Sequence, residues 1–109
     1  GEIVAKLTES SRPVMALFEV LGQKWVLRII WELRNGPLTF RELRAQCDEI
    51  SPTVLNQRLA LLKETLLLES TDEGYKPTAL LEELGPVLYA LRDWSNMWAE
   101  TRVAHGHDV

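Results

Sequence analysis

Apolar positions recur along this chain in more than one rhythm, and each rhythm predicts its own kind of element. From Pro13 to Leu21, the residues Val14, Leu17, Phe18 and Leu21 share one side of a helix that Gly22 ends. From about Lys24 to Arg34, Trp25, Val26, Ile29, Ile30 and Leu33 repeat at the one-, three- and four-residue steps of a buried helical stripe. Asn35-Gly36-Pro37 stops it, because glycine accepts the left-handed conformation at a helix end and proline cannot extend the ladder. Leu38 is then free to form a very short edge strand. Two capped helices follow, Phe40–Cys47 and Pro52–Thr65. Thr39 with Glu42 makes a capping box, and Ser51 caps the second helix with Pro52 at the first helical position, where the missing N–H costs nothing. Beyond Leu66 the pattern changes to polar alternation around Asp72-Glu73-Gly74, the signature of a short hairpin. Thr78 can cap a last helix, Ala79 to about Thr101. In it Leu80, Leu84, Val87, Leu91, Trp94 and Trp98 repeat at four- and three-residue steps as a heptad seam, with Leu81, Leu88 and Met97 beside it.

The resulting fold class is α+β and mainly helical: a winged helix-turn-helix with a short β-hairpin wing and a long C-terminal dimerisation helix. Residues 1–12 read as an N-terminal extension, 13–101 as one winged-helix domain including its dimerisation helices, and 102–109 as a flexible tail. At 109 residues and 46% hydrophobic content, the chain has material for one domain with its own core. No apolar run approaches the roughly 20 residues of a membrane span, and GEIVAKLTES lacks the basic-then-apolar layout of a secretory signal. The single cysteine, Cys47, cannot form an intrachain disulfide, which suits a reducing, cytoplasmic setting.

Net charge is −4, which argues against nucleic acid until its distribution is considered. Residues 39–63 carry four basic side chains (Arg41, Arg44, Arg58, Lys63) against three acidic ones, whereas residues 64–83 carry six acidic ones against Lys76 alone. A locally neutral-to-basic face can still meet a duplex, with little long-range steering.

The helix that opens at Ser51 is the candidate reading helix. Thr53, Asn56 and Gln57 are base-reading candidates, since Asn or Gln can pair bidentately with adenine and Thr can donate or accept; a solvated polar helix start is the alternative. Phosphate candidates are Lys24, Thr39, Arg41, Arg44, Ser51, Arg58, Lys63 and Lys76, with Arg58 equally open to an intradomain ion pair. Lys24 is read as beginning a helix, where its charge gains nothing from the dipole. The surplus apolar width of the last helix predicts a homodimer, with Val14, Phe18, Trp31, Leu84, Leu88, Leu91, Trp94 and Trp98 at the interface. Trp25 and Trp94 are expected to support the core. Trp31 and Trp98, with Phe18 and Tyr89, can line a cleft at the dimer junction for a small aromatic ligand, or simply pack. Cys47 reads as a small buried hydrophobe, and His105, His107 and Asp108 as untethered tail rather than a metal site. No glycine-rich phosphate loop, nucleophile elbow or histidine within the domain body supports an enzyme, and no cofactor or metal is implied.

These residues resemble the HxlR-type winged-helix regulators of bacteria, distant relatives of the MarR type. The matching residues are Pro13-Val14, Gly22 with Lys24-Trp25, Gly36-Pro37, Phe40, Glu42-Leu43, Ile50-Ser51, Leu55, Arg58-Leu59, Tyr75, Thr78, Leu80 and Asp93-Trp94, in the family's order over roughly residues 13–94. The resemblance implies a homodimeric transcription factor that puts Ser51–Leu62 in the major groove and the hairpin beside the minor groove. Some such proteins sense oxidants, electrophiles or aldehydes through a cysteine before Pro-Val; here Arg12 holds that place, so sensing at that position is not available. Gln23, Pro77 and Leu81 also depart from the pattern. The wing departs most: only Asp72, Glu73 and Gly74 lie between Thr71 and Tyr75, and two carboxylates at the tip would be repelled by phosphate. The competing reading is therefore a winged-helix protein-interaction or ligand-sensing module whose DNA binding is weak or lost.

Overall fold

A computed structural model describes residues 12–106. Most of the expected N-terminal extension, and His107 and Asp108 of the expected tail, lie outside the described residues. The elements run α1 (Pro13–Leu21), α2 (Val26–Glu32), a 3-10 turn (Leu33–Asn35), α3 (Phe40–Gln46), α4 (Pro52–Glu64), β1 (Leu68–Thr71), β2 (Gly74–Pro77), α5 (Ala79–Glu82) and α6 (Gly85–Ala104).

The core is built where the stripe predicted it. Val26, Ile29, Ile30 and Leu33 of α2 and its 3-10 end pack against Leu43 and Cys47 from the α3 side and against Leu55, Leu59 and Leu62 of α4. Leu68 of β1 and Leu81 of α5 complete it. At the entry to this core, α1 turns Val20 inward and leaves exposed Val14 and Phe18, the two α1 residues expected at a dimer interface. α2 begins at Val26 rather than near Lys24, because Trp25 sits in the left-handed region at φ 80° and breaks the helical run. Lys24 thus lies in a turn, and the dipole argument made for it does not apply.

The hairpin pairs β1 and β2 antiparallel, with Leu68 opposite Pro77, Glu69 opposite Lys76, Ser70 opposite Tyr75 and Thr71 opposite Gly74. Its loop is Asp72-Glu73, held by the Thr71 hydroxyl, which donates to the Gly74 carbonyl at 2.8 Å and accepts from the Glu73 amide at 3.2 Å. Leu38 bridges Tyr75 on the outer edge, its amide donating to the Tyr75 carbonyl at 3.1 Å and its carbonyl accepting from the Tyr75 amide at 2.8 Å. Gly74 is required there: its φ is +122°, and a Cβ would lie 2.4 Å from the Leu38 carbonyl oxygen.

The largest correction concerns the last helix. It is not continuous from Ala79 but divides into α5 and α6, with Glu83 and Leu84 between them. Pro86 has no N–H for the Glu82 carbonyl and its ring crowds that position, so the ladder is interrupted. The heptad seam is broken accordingly. Leu81, 3% exposed, enters the core in place of Leu80, which is 54% exposed. α6 contains no buried residue and continues past Thr101 to Ala104. The radius of gyration, 15.4 Å, exceeds the roughly 13 Å of a compact chain of this length, as a helix standing off the body would produce.

Candidate nucleic-acid interface

α4 is set up by its cap. The Ser51 hydroxyl accepts the Val54 amide at 3.1 Å, with Pro52 at the first helical position. Leu55, Leu59 and Leu62 face the core, fixing the rotation of the helix about its axis. Thr53, Asn56 and Gln57 consequently share the opposite, exposed side, three and four residues apart. None of the three has a hydrogen-bond partner among the described residues, so their donors and acceptors are available to a ligand.

α3 is fixed by the capping box foreseen in the sequence. The Thr39 amide donates to the Glu42 carboxylate at 2.8 Å, and the Glu42 amide donates to the Thr39 hydroxyl at 3.2 Å. The Thr39 backbone bond, then its hydroxyl, hold the Glu42 carboxyl below its ordinary range. Both cap hydroxyls act as acceptors, and the Thr39 amide is taken by Glu42, so what Thr39 offers a phosphate is its hydroxyl proton, and Ser51 can do the same.

The cationic candidates separate into two groups. Arg44 donates from Nε to the Ile50 carbonyl at 2.8 Å and pairs with Glu49 at 3.4 Å. Arg58 donates from Nε to the Lys24 carbonyl at 2.7 Å, tying α4 to the turn before α2; its partner is a backbone oxygen, not the acidic side chain allowed for in the sequence. Arg41 is exposed and has no hydrogen-bond or ion-pair partner among the described residues. Lys24 lies 5.9 Å from the Trp25 ring and Lys63 6.0 Å from the Tyr75 ring, both on the surface. Lys76, half-buried on β2, lines a groove at the base of the wing instead of standing at its tip. Asp72 and Glu73 occupy that tip, exposed.

Sequence periodicity gave no notice of Arg28. From α2 it donates to the Glu32 carboxylate at 2.7 Å, the Gln46 carbonyl at 2.6 Å and the Asp48 carboxylate at 3.3 Å. Two of those partners lie eighteen and twenty residues away, beyond the reach of a local pattern. Cys47 begins the same turn, fully buried; burial pushes its thiol pKa up, and the Arg28 charge opposes that only in part.

On the far side, Trp31 meets Tyr89 edge to face at 5.8 Å, and the Arg34 guanidinium lies 4.3 Å over the Trp31 ring. Two grooves flank Trp31. One of about 380 Å³ is walled by Trp31, Arg34, Pro37, Lys76, Pro77 and Tyr89. The other, about 410 Å³, lies among Leu27, Trp31, Leu88, Leu91 and Arg92. Leu84 and Leu88 pack against the chain's own core. Trp94 does not support that core: it is 55% exposed and stacks on Trp98 at 6.5 Å along α6. With Leu91, Met97 and Trp98 it forms an open apolar face. No helix among the described residues is long and apolar enough to cross a membrane.

A capped helix pair joined by a tight turn, its second helix polar on the outside, followed by a hairpin, defines a winged helix-turn-helix protein. The chain belongs to the HxlR-like helix-turn-helix family, whose model matches residues 20–103; this is a family of transcriptional regulators, not enzymes. It is 32% identical over 95 residues to the HTH-type transcriptional regulator YkvN of Bacillus subtilis (strain 168), covering 81% of this chain and 80% of that one. It is 30% identical over 95 residues to the HTH-type transcriptional regulator YodB of the same organism, covering 84% of this chain and 85% of that one. The crystal structure of quinone-bound YodB superposes with a TM-score of 0.70 at 28% identity, over 79% of this chain and 98% of YodB. A MarR-family regulator from Enterococcus faecalis V583, 24% identical over 87% of this chain and 96% of its own, shares the fold at a TM-score of 0.69.

Proposed function

We propose that the chain works as a homodimer that reads an inverted-repeat DNA operator, each copy placing the amino end of α4 in the major groove. The observation that carries this reading is the shared, exposed and unpartnered face of Thr53, Asn56 and Gln57 on a helix whose rotation the core fixes. Asn56 and Gln57 suit adenine and Thr53 suits several bases, while Arg41 and Lys63 neutralise phosphates beside them. The acidic wing tip adds repulsion, so α4 carries most of the binding, and affinity falls with salt in proportion to the few phosphates neutralised. Such a partner and an unpaired thiol suit a cytoplasmic setting.

The exposed faces of α6 (Leu91, Trp94, Trp98) and α1 (Val14, Phe18) support pairing through these helices about a twofold axis. That axis would set two α4 helices one helical turn of DNA apart, about 34 Å. A small aromatic ligand fits the grooves beside Trp31, where ring faces and cations meet. By occupying its operator the dimer would block or recruit polymerase.

Selection from randomised duplexes at low salt, with sequencing of the retained fraction, tests the reading. An enriched inverted repeat is expected; a folded dimer that enriches no motif would overturn it. One observation favours a second reading: Asp72 and Glu73 are exposed at a tip that other regulators of this shape bring to DNA. In that case the domain is a protein-interaction module, and Asp72→Asn with Glu73→Gln would leave its duplex affinity unchanged instead of raising it.

A further inference from the structure

The turn between α3 and α4 is held from both sides by arginines. Asp48 and Glu49 are consecutive non-glycine residues in the left-handed region, at φ 55° and 57°, a conformation L-residues adopt reluctantly. Arg28 reaches from α2 to the Gln46 carbonyl at the end of α3 and to the Asp48 carboxylate. Arg44 reaches from α3 to the Glu49 carboxylate and to the carbonyl of Ile50, immediately before the Ser51 cap. Each arginine therefore grips one of the two left-handed residues and one backbone oxygen at an end of the turn. That turn sets the direction in which α4 leaves α3, together with the core packing of Leu55, Leu59 and Leu62 and the Arg58 bond to the Lys24 carbonyl.

Both cations are also locally neutralised. Arg28 has Glu32 at 2.7 Å and Asp48 at 3.3 Å, and Arg44 has Glu49 at 3.4 Å. Arg41, one turn away on α3, has no such partner among the described residues.

We propose that Arg28 and Arg44 are positioning residues that fix the direction of α4 and do not contact phosphate, leaving Arg41 as the α3 arginine that meets the DNA backbone. The proposal rests on the DNA-binding reading above. It assigns Arg44 a role its basic character alone would not suggest, and Arg28 a role in presenting a helix it does not belong to.

Salt dependence separates the two kinds of role, because each phosphate that a protein cation ceases to neutralise lowers the slope of log affinity against log salt by about 0.9. For the full chain and the selected duplex, Arg41→Gln removes one such contact from each copy of the dimer, so it should lower that slope by about 1.8 and weaken all sequences alike. Arg28→Gln and Arg44→Gln should keep the slope and lose about tenfold in preference for the selected site, the scale of a charge-assisted hydrogen bond. Arg44→Lys should not rescue, since lysine can supply charge to a phosphate but not the fork that holds two oxygens. Glu49→Gln leaves Arg44 in place, so it should lose selectivity too, whereas a phosphate role predicts higher affinity. A readout without DNA accompanies these: the Glu49 and Ile50 amides, which donate to Arg44 O and Cys47 O, should exchange with solvent about tenfold faster in Arg44→Gln and Glu49→Gln, with the Ile29 amide in the core unchanged as the control for folding.

A reduced slope in Arg28→Gln or Arg44→Gln, or rescue by lysine, would overturn the proposal in favour of direct phosphate contact. Unchanged exchange at Glu49 and Ile50 would overturn the clamp alone. A wild-type chain that selects no duplex would instead overturn the DNA-binding reading, and the positioning role with it.

Discussion

Asn56 and Glu42 occupy similar exposed helical positions, yet one is free and the other fully engaged, and their substitutions should behave differently. Asn56→Ala leaves every bond within the domain intact, so stability should hold. Its cost should fall on preference for the selected site, by about 1–3 kcal/mol if it pairs with a base; equal losses on specific and random duplexes in a binding titration would reject base reading. Glu42 affects folding instead. Its folded-state pKa is depressed by the Thr39 bonds, so its contribution is present above the ordinary glutamate pKa and disappears as pH falls through the lower, folded value. Urea titrations across the acid range should show a pH-dependent component for the wild type that Glu42→Gln lacks. The caps at Thr39 and Ser51 were legible in the sequence because donor and acceptor lie three residues apart. Arg28 was not, because its decisive partners come from another helix and are chosen only once the chain has folded.

The hairpin was legible from its turn residues, since only Leu68 of β1 is buried and β2 shows no alternation. Hydrophobic spacing located α2, α3 and α4, since each buries one face against a common core and so must repeat at the helical period. It misled at α6. Leu80, Leu84, Val87, Leu91, Trp94 and Trp98 have heptad spacing, but periodicity does not register a missing donor. Gly85-Pro86, present in the same stretch, was the signal that the ladder fails there. It likewise missed the left-handed turn at Trp25, where nothing in composition asks for a positive φ. The hairpin offers a sharp test at this scale. Gly74→Ala places a methyl group against the Leu38 carbonyl in a conformation alanine resists, and should cost about 1–3 kcal/mol. Thermal unfolding followed by circular dichroism would record it, and the loss should exceed that of Ser70→Ala on the facing strand.

At the scale of the molecule, two opposed features coexist: a net charge of −4 and exposed apolar residues on both α1 and α6. The first keeps non-specific DNA binding weak; the second calls for a covering surface, which a second copy would provide. Leu91→Glu combined with Trp98→Glu alters residues that touch little of the core, so the helical spectrum should persist. Sedimentation should then give a monomer, and affinity for the inverted repeat should fall toward that for a half-site, by on the order of 10²–10⁴. Aromatic exposure of this kind was visible in the sequence as surplus apolar width, and Leu91, Trp94 and Trp98 were among the residues it pointed to. The interruption at Pro86 has a mechanical consequence for such a pair. Twenty residues of α6 at 1.5 Å each make a rod of roughly 30 Å, joined to the reading head where the helical ladder is broken. Tilting that lever by about 10° sweeps its far tip through roughly 5 Å, so a modest wedge at the joint suffices to change the gauge between two heads bolted together at their distal ends.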